Sequence, residues 1–292
     1  MLVPPPLRPG QRVAVVAPAG PFPRGELCAG MAWLQARYTL VCSARVFERS
    51  GYLAGSDASR REELAHAFRR DDVGAIFCAR GGYGALRILD ALPWDALLAA
   101  PKWIVGFSDV TALHLEAAKR GLASVHGANV TGLARDSAEL PRTRRSLLRA
   151  VEGGRRSPFG ELDVLRSGRA DGVVLGGNLT LFATLAAAGL LALPLGAILL
   201  LEDVTERPYR LDRMLTSLRL GGHFAHASAI VFGGFEGCTP GPDGITVDQV
   251  LEDFAAHVTI PIARHAPFGH GARNEAFVQG AVGHLDGGVL TF

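Results

Sequence analysis

Ser108 stands where an apolar run gives way to a helical pattern. Trp103-Ile104-Val105 reads as a buried strand, Gly106-Phe107-Ser108-Asp109 interrupts it, and Leu113, Leu115 and Ala118 follow at helical spacing. A serine on a sharp strand-to-helix turn is the geometry of a nucleophile elbow. Its hydroxyl stands clear at the end of the sheet, and the next amide, at a helix N-terminus, can face a developing oxyanion. The plainer reading is that Ser108 or Asp109 caps the helix, a common use of both residue types. The fifth position is Val110 rather than the glycine of Gly-x-Ser-x-Gly, which sets this turn apart from that of ordinary α/β-hydrolases.

A serine nucleophile needs a base, and the base needs an acceptor that fixes its tautomer. Nine histidines compete for the first role. His114 lies on the helix after the elbow and reads as packed or solvent-facing. His223 and His226 lack a third ligand at metal spacing and read as surface residues. His270 sits between Gly269 and Gly271, in a loop after an extended stretch, and is the candidate base. Glu202 and Asp203 end a buried strand, where a carboxylate must be partnered. One of the two can orient the histidine; the other use is a cap or an ion pair with Arg207 or Arg210. The order serine, acid, histidine is one in which such triads occur.

The elements that must position these residues alternate. Strands are expected at Val13–Ala17, Tyr38–Val46, Ala75–Cys78, the run into Ser108, and Ala123–Val125. Helices are expected near Glu26–Gln35, Ser59–Arg70 and Ala85–Leu92. That alternation predicts an α/β domain with a parallel, doubly wound sheet over residues 1–151. Ligands then collect at the carboxyl ends of the strands, where Ser108, the Gly81-Gly82 turn and His126 would lie. A polar stretch over 152–171 reads as a linker. A smaller α/β domain over 172–292 follows, with strands at Gly172–Gly177, Ala197–Leu201 and Ala229–Phe232. Its helices are expected after Asn178, from Pro208 and from Val247, with a tail hairpin through Asp286-Gly287-Gly288.

Composition narrows the classes. The 292 residues are 48% hydrophobic and 20% charged, with a net charge of +2, as in a soluble chain with a large core. No basic block interleaves with aromatics, so nucleic acid is not an expected partner. Arg142, Arg144, Arg145 and Arg149 read as a solvated helix face. The four cysteines show no metal or redox spacing, and Cys42 and Cys78 read as buried thiols in a reducing compartment. No cationic, apolar leader is evident at the N-terminus. Leu179–Leu201 has no charge and is long enough to span a bilayer, but Gly189, Pro194 and Gly196 divide it into a helix, a turn and a strand. No membrane contact is expected.

Five segments together resemble one family. Ala75-Ile76-Phe77-Cys78-Ala79-Arg80-Gly81-Gly82-Tyr83-Gly84, Gly106-Phe107-Ser108-Asp109, Gly176-Gly177-Asn178-Leu179, Leu201-Glu202-Asp203 and Gly269-His270-Gly271 are similar to the serine LD-carboxypeptidases. That family includes muramoyl-tetrapeptide carboxypeptidases and microcin C immunity peptidases. The likeness runs in order from about Val13 to the C-terminus. It implies a flavodoxin-like N-terminal domain carrying the serine and a C-terminal domain carrying the acid and base. The family triad falls on Ser108, Glu202 and His270, and its oxyanion amides on Gly82 and Asp109. The Asp109 side chain is free to cap the helix. Gly81, Tyr83, His126 and Asn178 are the expected substrate contacts. The resemblance also implies a cytoplasmic homodimer acting on a small peptide, with no metal and no cofactor.

On this reading the chain releases terminal D-alanine from a murein tetrapeptide. A rival within the family is cleavage of a peptidyl-nucleotide toxin, whose base would stack on an aromatic residue in an added loop. Trp33, Trp94 and Trp103 all lie outside the segment between His126 and Gly176, leaving Phe159 as the candidate there. A non-catalytic small-molecule binding protein and a metal hydrolase built on His223 and His226 are the other classes. Arg80, Arg207 and Arg273 are equal candidates to hold a substrate carboxylate.

Overall fold

Short apolar runs become strands wherever helices cover both faces of a sheet. The computed structural model describes residues 1–154 and 158–292. Contacts divide the chain into two units, Met1–Arg155 with Glu275–Gln279, and Arg156–Asn274 with Gly280–Phe292.

The first unit runs β1 (Arg12–Val16), α1 (Arg24–Gln35), β2 (Thr39–Cys42), α2 (Asp57–Arg69), β3 (Ala75–Cys78), α3 (Trp94–Ala99), β4 (Trp103–Gly106), α4 (Thr111–Lys119), β5 (Ser124–His126) and α5 (Leu140–Val151). Its parallel strands lie in the order β2-β1-β3-β4-β5, the flavodoxin-like order. Every residue of β3 and β4 is buried. Gly106 pairs with His126, so β4 and β5 end level and the elbow leaves at the carboxyl edge. On α5, Thr143, Leu147, Ala150 and Val151 face the core, while Arg142, Arg145 and Arg149 are exposed. Arg144 instead bonds the Leu133 carbonyl at 2.8 Å and lies over the Trp33 ring.

The second unit holds β6 (Asp163–Arg166), β7 (Arg169–Asn178), α6 (Leu179–Ala187), β8 (Ala197–Val204), α7 (Pro208–Leu220), β9 (Ala227–Glu236), α8 (Val247–Ala256) and β10 (Ile262–Arg264). The chain then forms β11 (Phe277–Gln279), β12 (Val282–Asp286) and β13 (Val289–Thr291). The sheet order is β13-β12-β7-β8-β9-β10-β6, mixed, with β7 through β10 parallel. β8 is buried through Asp203, as a central strand covered on both faces must be. The uncharged stretch from Leu179 is α6, a turn and β8. No helix among the described residues is long and apolar enough to cross a membrane.

Four expectations meet a different structure. The strand expected to run to Val46 stops at Cys42, because a 3-10 turn at Ala44–Phe47 begins where the Ser43 hydroxyl accepts the Arg45 amide. α3 was not anticipated; Pro93 opens it and Trp94 is buried. Only Val282–Thr291 makes the tail hairpin. Phe277–Gln279 instead pairs antiparallel with β5 and closes the first sheet, which is therefore mostly rather than wholly parallel. The stretch expected as a linker carries β6 and the start of β7, and its residues 155–157 lie outside the described residues. Cys42 is half-buried and Cys78 fully buried, and both are free thiols.

Candidate active site

Strain marks the elbow. Ser108 adopts φ 67°, one of four non-glycine residues at positive φ among the described residues. A helix N-cap takes an extended conformation, and Phe107, at φ −153°, holds that place with no side-chain cap bond. Left-handed backbone at a non-glycine residue persists only where surrounding structure enforces it. Asn129 is part of that enforcement. Its Oδ1 accepts the Phe107 amide at 3.2 Å, and its Nδ2 donates to the Phe107 carbonyl at 3.4 Å.

The Gly81-Gly82 turn lies directly against the serine. A Cβ on Gly81 would sit 2.7 Å from Ser108 Cβ and 2.9 Å from Oγ, so only glycine fits. Gly82 takes φ +101°. The Gly81 carbonyl accepts the Gly20 amide at 2.9 Å. In a trans peptide the carbonyl and the following N–H point oppositely, so this bond turns the Gly82 N–H away from Gly20. Tyr83 is 47% exposed and its ring lies 5.8 Å from that of Tyr52.

Asp109 is buried, but its side chain does not cap its own helix. Oδ2 accepts the Ala85 amide at 2.8 Å, across to the segment after β3. Burial pushes this carboxyl up to about 6, with the Ala85 hydrogen bond and Arg60 opposing. His126, expected at the substrate, is fully buried. Its ring stacks on Phe277 at 4.5 Å, with Phe107 edge-on at 5.9 Å, beneath the elbow. His114 is also a core residue. It bridges Ser124 Oγ and the Gly106 carbonyl, each at 2.8 Å. The carbonyl can only accept, so Nε2 carries the proton. Burial pushes this imidazole down to about 4.

In the second unit, Glu202 and Asp203 divide the tasks that the sequence left open between them. Glu202 is fully buried near the end of β8, and its Oε2 lies 2.6 Å from His270 Nδ1. Burial raises its carboxyl, and the His270 bond opposes the rise. With Nδ1–H donated to the carboxylate, Nε2 is left to accept a proton. Asp203 serves the fold. Its oxygens accept from Asn178 Nδ2 at 2.9 Å, the Thr180 amide at 2.9 Å, Thr180 Oγ1 at 2.8 Å and the Val204 amide at 2.8 Å. Asn178, expected at the substrate, is buried, and its Oδ1 caps α6 through the Leu181 amide at 3.2 Å. The loop carrying His270 is tied to β9 by the Gly234 amide, 2.9 Å from the Phe268 carbonyl. Gly269, at φ +119°, lets that loop pass over Glu202.

The remaining candidates have other occupations. Arg207 donates to the Pro240 carbonyl at 2.9 Å, and Arg80 to that of Pro21. Phe159 is 1% exposed and packs among Phe268 and Phe292. Among the described residues, no group of three or more histidine, cysteine or acidic side chains could hold a metal ion. Sequence reasoning missed Asn129, Gly20 and Arg60. Each acts through a hydrogen bond across 22 to 61 positions of chain, which leaves no periodic signal.

Two family models cover most of the chain: the LD-carboxypeptidase N-terminal domain matches residues 13–127, and the LD-carboxypeptidase C-terminal domain residues 171–285. The chain belongs to the LD-carboxypeptidase family, the serine peptidases S66. The murein tetrapeptide carboxypeptidase of Pseudomonas aeruginosa is 36% identical over 289 residues, 96% of this chain and 94% of that protein. The muramoyltetrapeptide carboxypeptidase of Oxalobacter formigenes superposes with a TM-score of 0.85 at 26% identity, over 96% of this chain and 97% of that one. The microcin C7 self-immunity protein MccF, solved with aspartyl sulfamoyl adenosine, gives a TM-score of 0.90 at 21% identity, covering 100% of this chain and 98% of its own. That last likeness speaks to the fold alone: a mostly parallel N-terminal sheet and a curled mixed C-terminal sheet.

Proposed function

We propose that the chain hydrolyses the L-D peptide bond before the terminal D-alanine of a murein tetrapeptide, through an acyl-enzyme. The observation that carries this reading is Ser108 itself, held at φ 67° with Gly81 against its hydroxyl. A helix cap needs neither feature, and a nucleophile needs both exposure and a nearby oxyanion donor. Ser108 Oγ attacks the scissile carbonyl and gives its proton to His270 Nε2. The Gly82 and Asp109 amides take the oxyanion. Glu202 holds the His270 tautomer and stabilises the imidazolium. The C–N bond breaks as His270 returns the proton to the leaving D-alanine nitrogen. Water, deprotonated by His270, then cleaves the ester and frees Ser108. Gly81 lets substrate backbone approach closely, and exposed Tyr83 lies at the rim of the turn.

Murein peptide is favoured over a nucleotide conjugate because the segment between His126 and Gly176 has no tryptophan and its Phe159 is buried. The same reading carries a cytoplasmic homodimer. The test offers the purified protein a synthetic L-Ala-D-Glu-diaminopimelyl-D-Ala tetrapeptide and aspartyl sulfamoyl adenosine. Release of D-alanine is expected, with loss of at least 1,000-fold in Ser108→Ala, on the order seen when a triad nucleophile is removed. Turnover surviving in Ser108→Ala would sink the mechanism. Cleavage of the adenosine conjugate alone would transfer the protein to the toxin-hydrolysing class.

A further inference from the structure

We propose that Asp109 and Arg60 clamp the Gly84–Ala85 peptide and thereby position the glycine turn for catalysis. The two residues grip opposite ends of one peptide group. Arg60 Nη1 donates to the Gly84 carbonyl at 2.8 Å, and Asp109 Oδ2 accepts the Ala85 amide at 2.8 Å. Both side chains are buried, Arg60 at 1% and Asp109 at 2% exposure. Buried charges must be paired and hydrogen-bonded, and here the partners are the two ends of this peptide.

The connections of each residue give the clamp its consequence. Asp109 directly follows the nucleophile, so its carboxylate ties the elbow to the chain after Gly81-Gly82. Arg60 Nη1 also holds the Pro18 carbonyl, and Nη2 holds Asp57. Pro18 lies two residues before Gly20, whose amide anchors the Gly81 carbonyl at 2.9 Å. Of the four peptide groups from Gly81 to Ala85, the first is therefore held by Gly20 and the last by this pair. Gly84 sits at φ +132°, and a Cβ there would meet Arg60 Nη1 at 2.7 Å. Bonds fixed before substrate arrives cost no reorganisation when the oxyanion forms. Arg60 and the Asp109 carboxylate are thus positioning groups, distinct from the Asp109 amide proposed as an oxyanion donor.

The inference rests on the proposed serine mechanism, so the experiment separates the two. D-Alanine release is measured in steady state for Asp109→Ala, Asp109→Asn, Arg60→Lys and Ser108→Ala, each checked for native circular dichroism. Asparagine keeps an acceptor for the Ala85 amide; alanine does not. We expect Asp109→Ala to lose about 30-fold or more in kcat with KM within about threefold, since a misplacement near 1 Å can cost 100-fold. Asp109→Asn should recover most of that loss, and Arg60→Lys should lower kcat about tenfold. Equal kcat values for Asp109→Ala and the natural protein, with Ser108→Ala inactive, would overturn the clamp and leave the mechanism standing. An active Ser108→Ala would overturn the mechanism. If Asp109→Ala does not fold, Arg60→Lys decides: unchanged kcat refutes the clamp.

Discussion

On the proposed mechanism, the adjacent carboxylates Glu202 and Asp203 divide chemistry from support. Glu202 Oε2 meets His270, whereas the Asp203 oxygens take the amide and hydroxyl of Thr180 at the start of α6. Removing each should therefore fail differently. Glu202→Gln keeps the shape but cannot hold the imidazolium, and we expect kcat to fall about 10,000-fold with little change in unfolding free energy. Asp203→Ala strips the acceptor from four donors and should cost about 3 kcal/mol or more of stability. Urea unfolding alongside kinetics distinguishes the two; equal stability losses would refute the division. The pair was legible as functional because charge at the end of an apolar run is unusual. Residue type alone did not say which member does which task; only the family resemblance singled out Glu202, and the partners of each side chain depend on tertiary contacts.

At the level of elements, the strand-to-helix junction is braced from below by His114. It joins α4 to the β4 carbonyl at Gly106 and to Ser124 of β5. Its imidazole falls from 6.5 to about 4 on folding. The unfolded chain therefore binds more protons between those values, and the contribution of His114 falls as pH drops through that window. The loss amounts to about 3 kcal/mol. Asp109 and Glu63, pushed up to about 6 and about 7, take up protons on folding and act in the opposite sense. The effect is thus read as a difference. The stability gap between the natural protein and His114→Gln should narrow by about 2 to 3 kcal/mol from pH 7 to pH 4.5. A gap that stays constant would show that His114 takes up its proton as readily in the fold as in the unfolded chain, and would refute the prediction. Most elements were readable from apolar periodicity. β2 ended early and α3 went unseen because local side-chain bonds and a proline decide short segments.

Across the whole molecule, the last residues matter out of proportion to their number. β11 pairs with β5 in the first sheet, while β12 pairs with β7 in the second. A chain ending at Asn274 would expose an edge in each sheet. We expect it to lose a cooperative thermal transition by circular dichroism and to aggregate on size exclusion; a protein that elutes without aggregates and keeps the natural melting curve would contradict this. The tail read as one hairpin because alternation and an Asp-Gly-Gly turn predict pairing without naming the partner. The sequence by itself determined the α/β class, the strand-turn-serine-helix unit, and Ser108, Glu202 and His270 as the residues to follow. All of these rest on local periodicity or on ordered motifs. Tertiary structure alone decided the positive φ at Ser108, the hydrogen bond between Glu202 and His270, the burial of His126, and the grip of Arg60 and Asp109 on one peptide. These depend on contacts between residues distant along the chain, where hydrogen-bond direction and burial, not residue type, set the outcome.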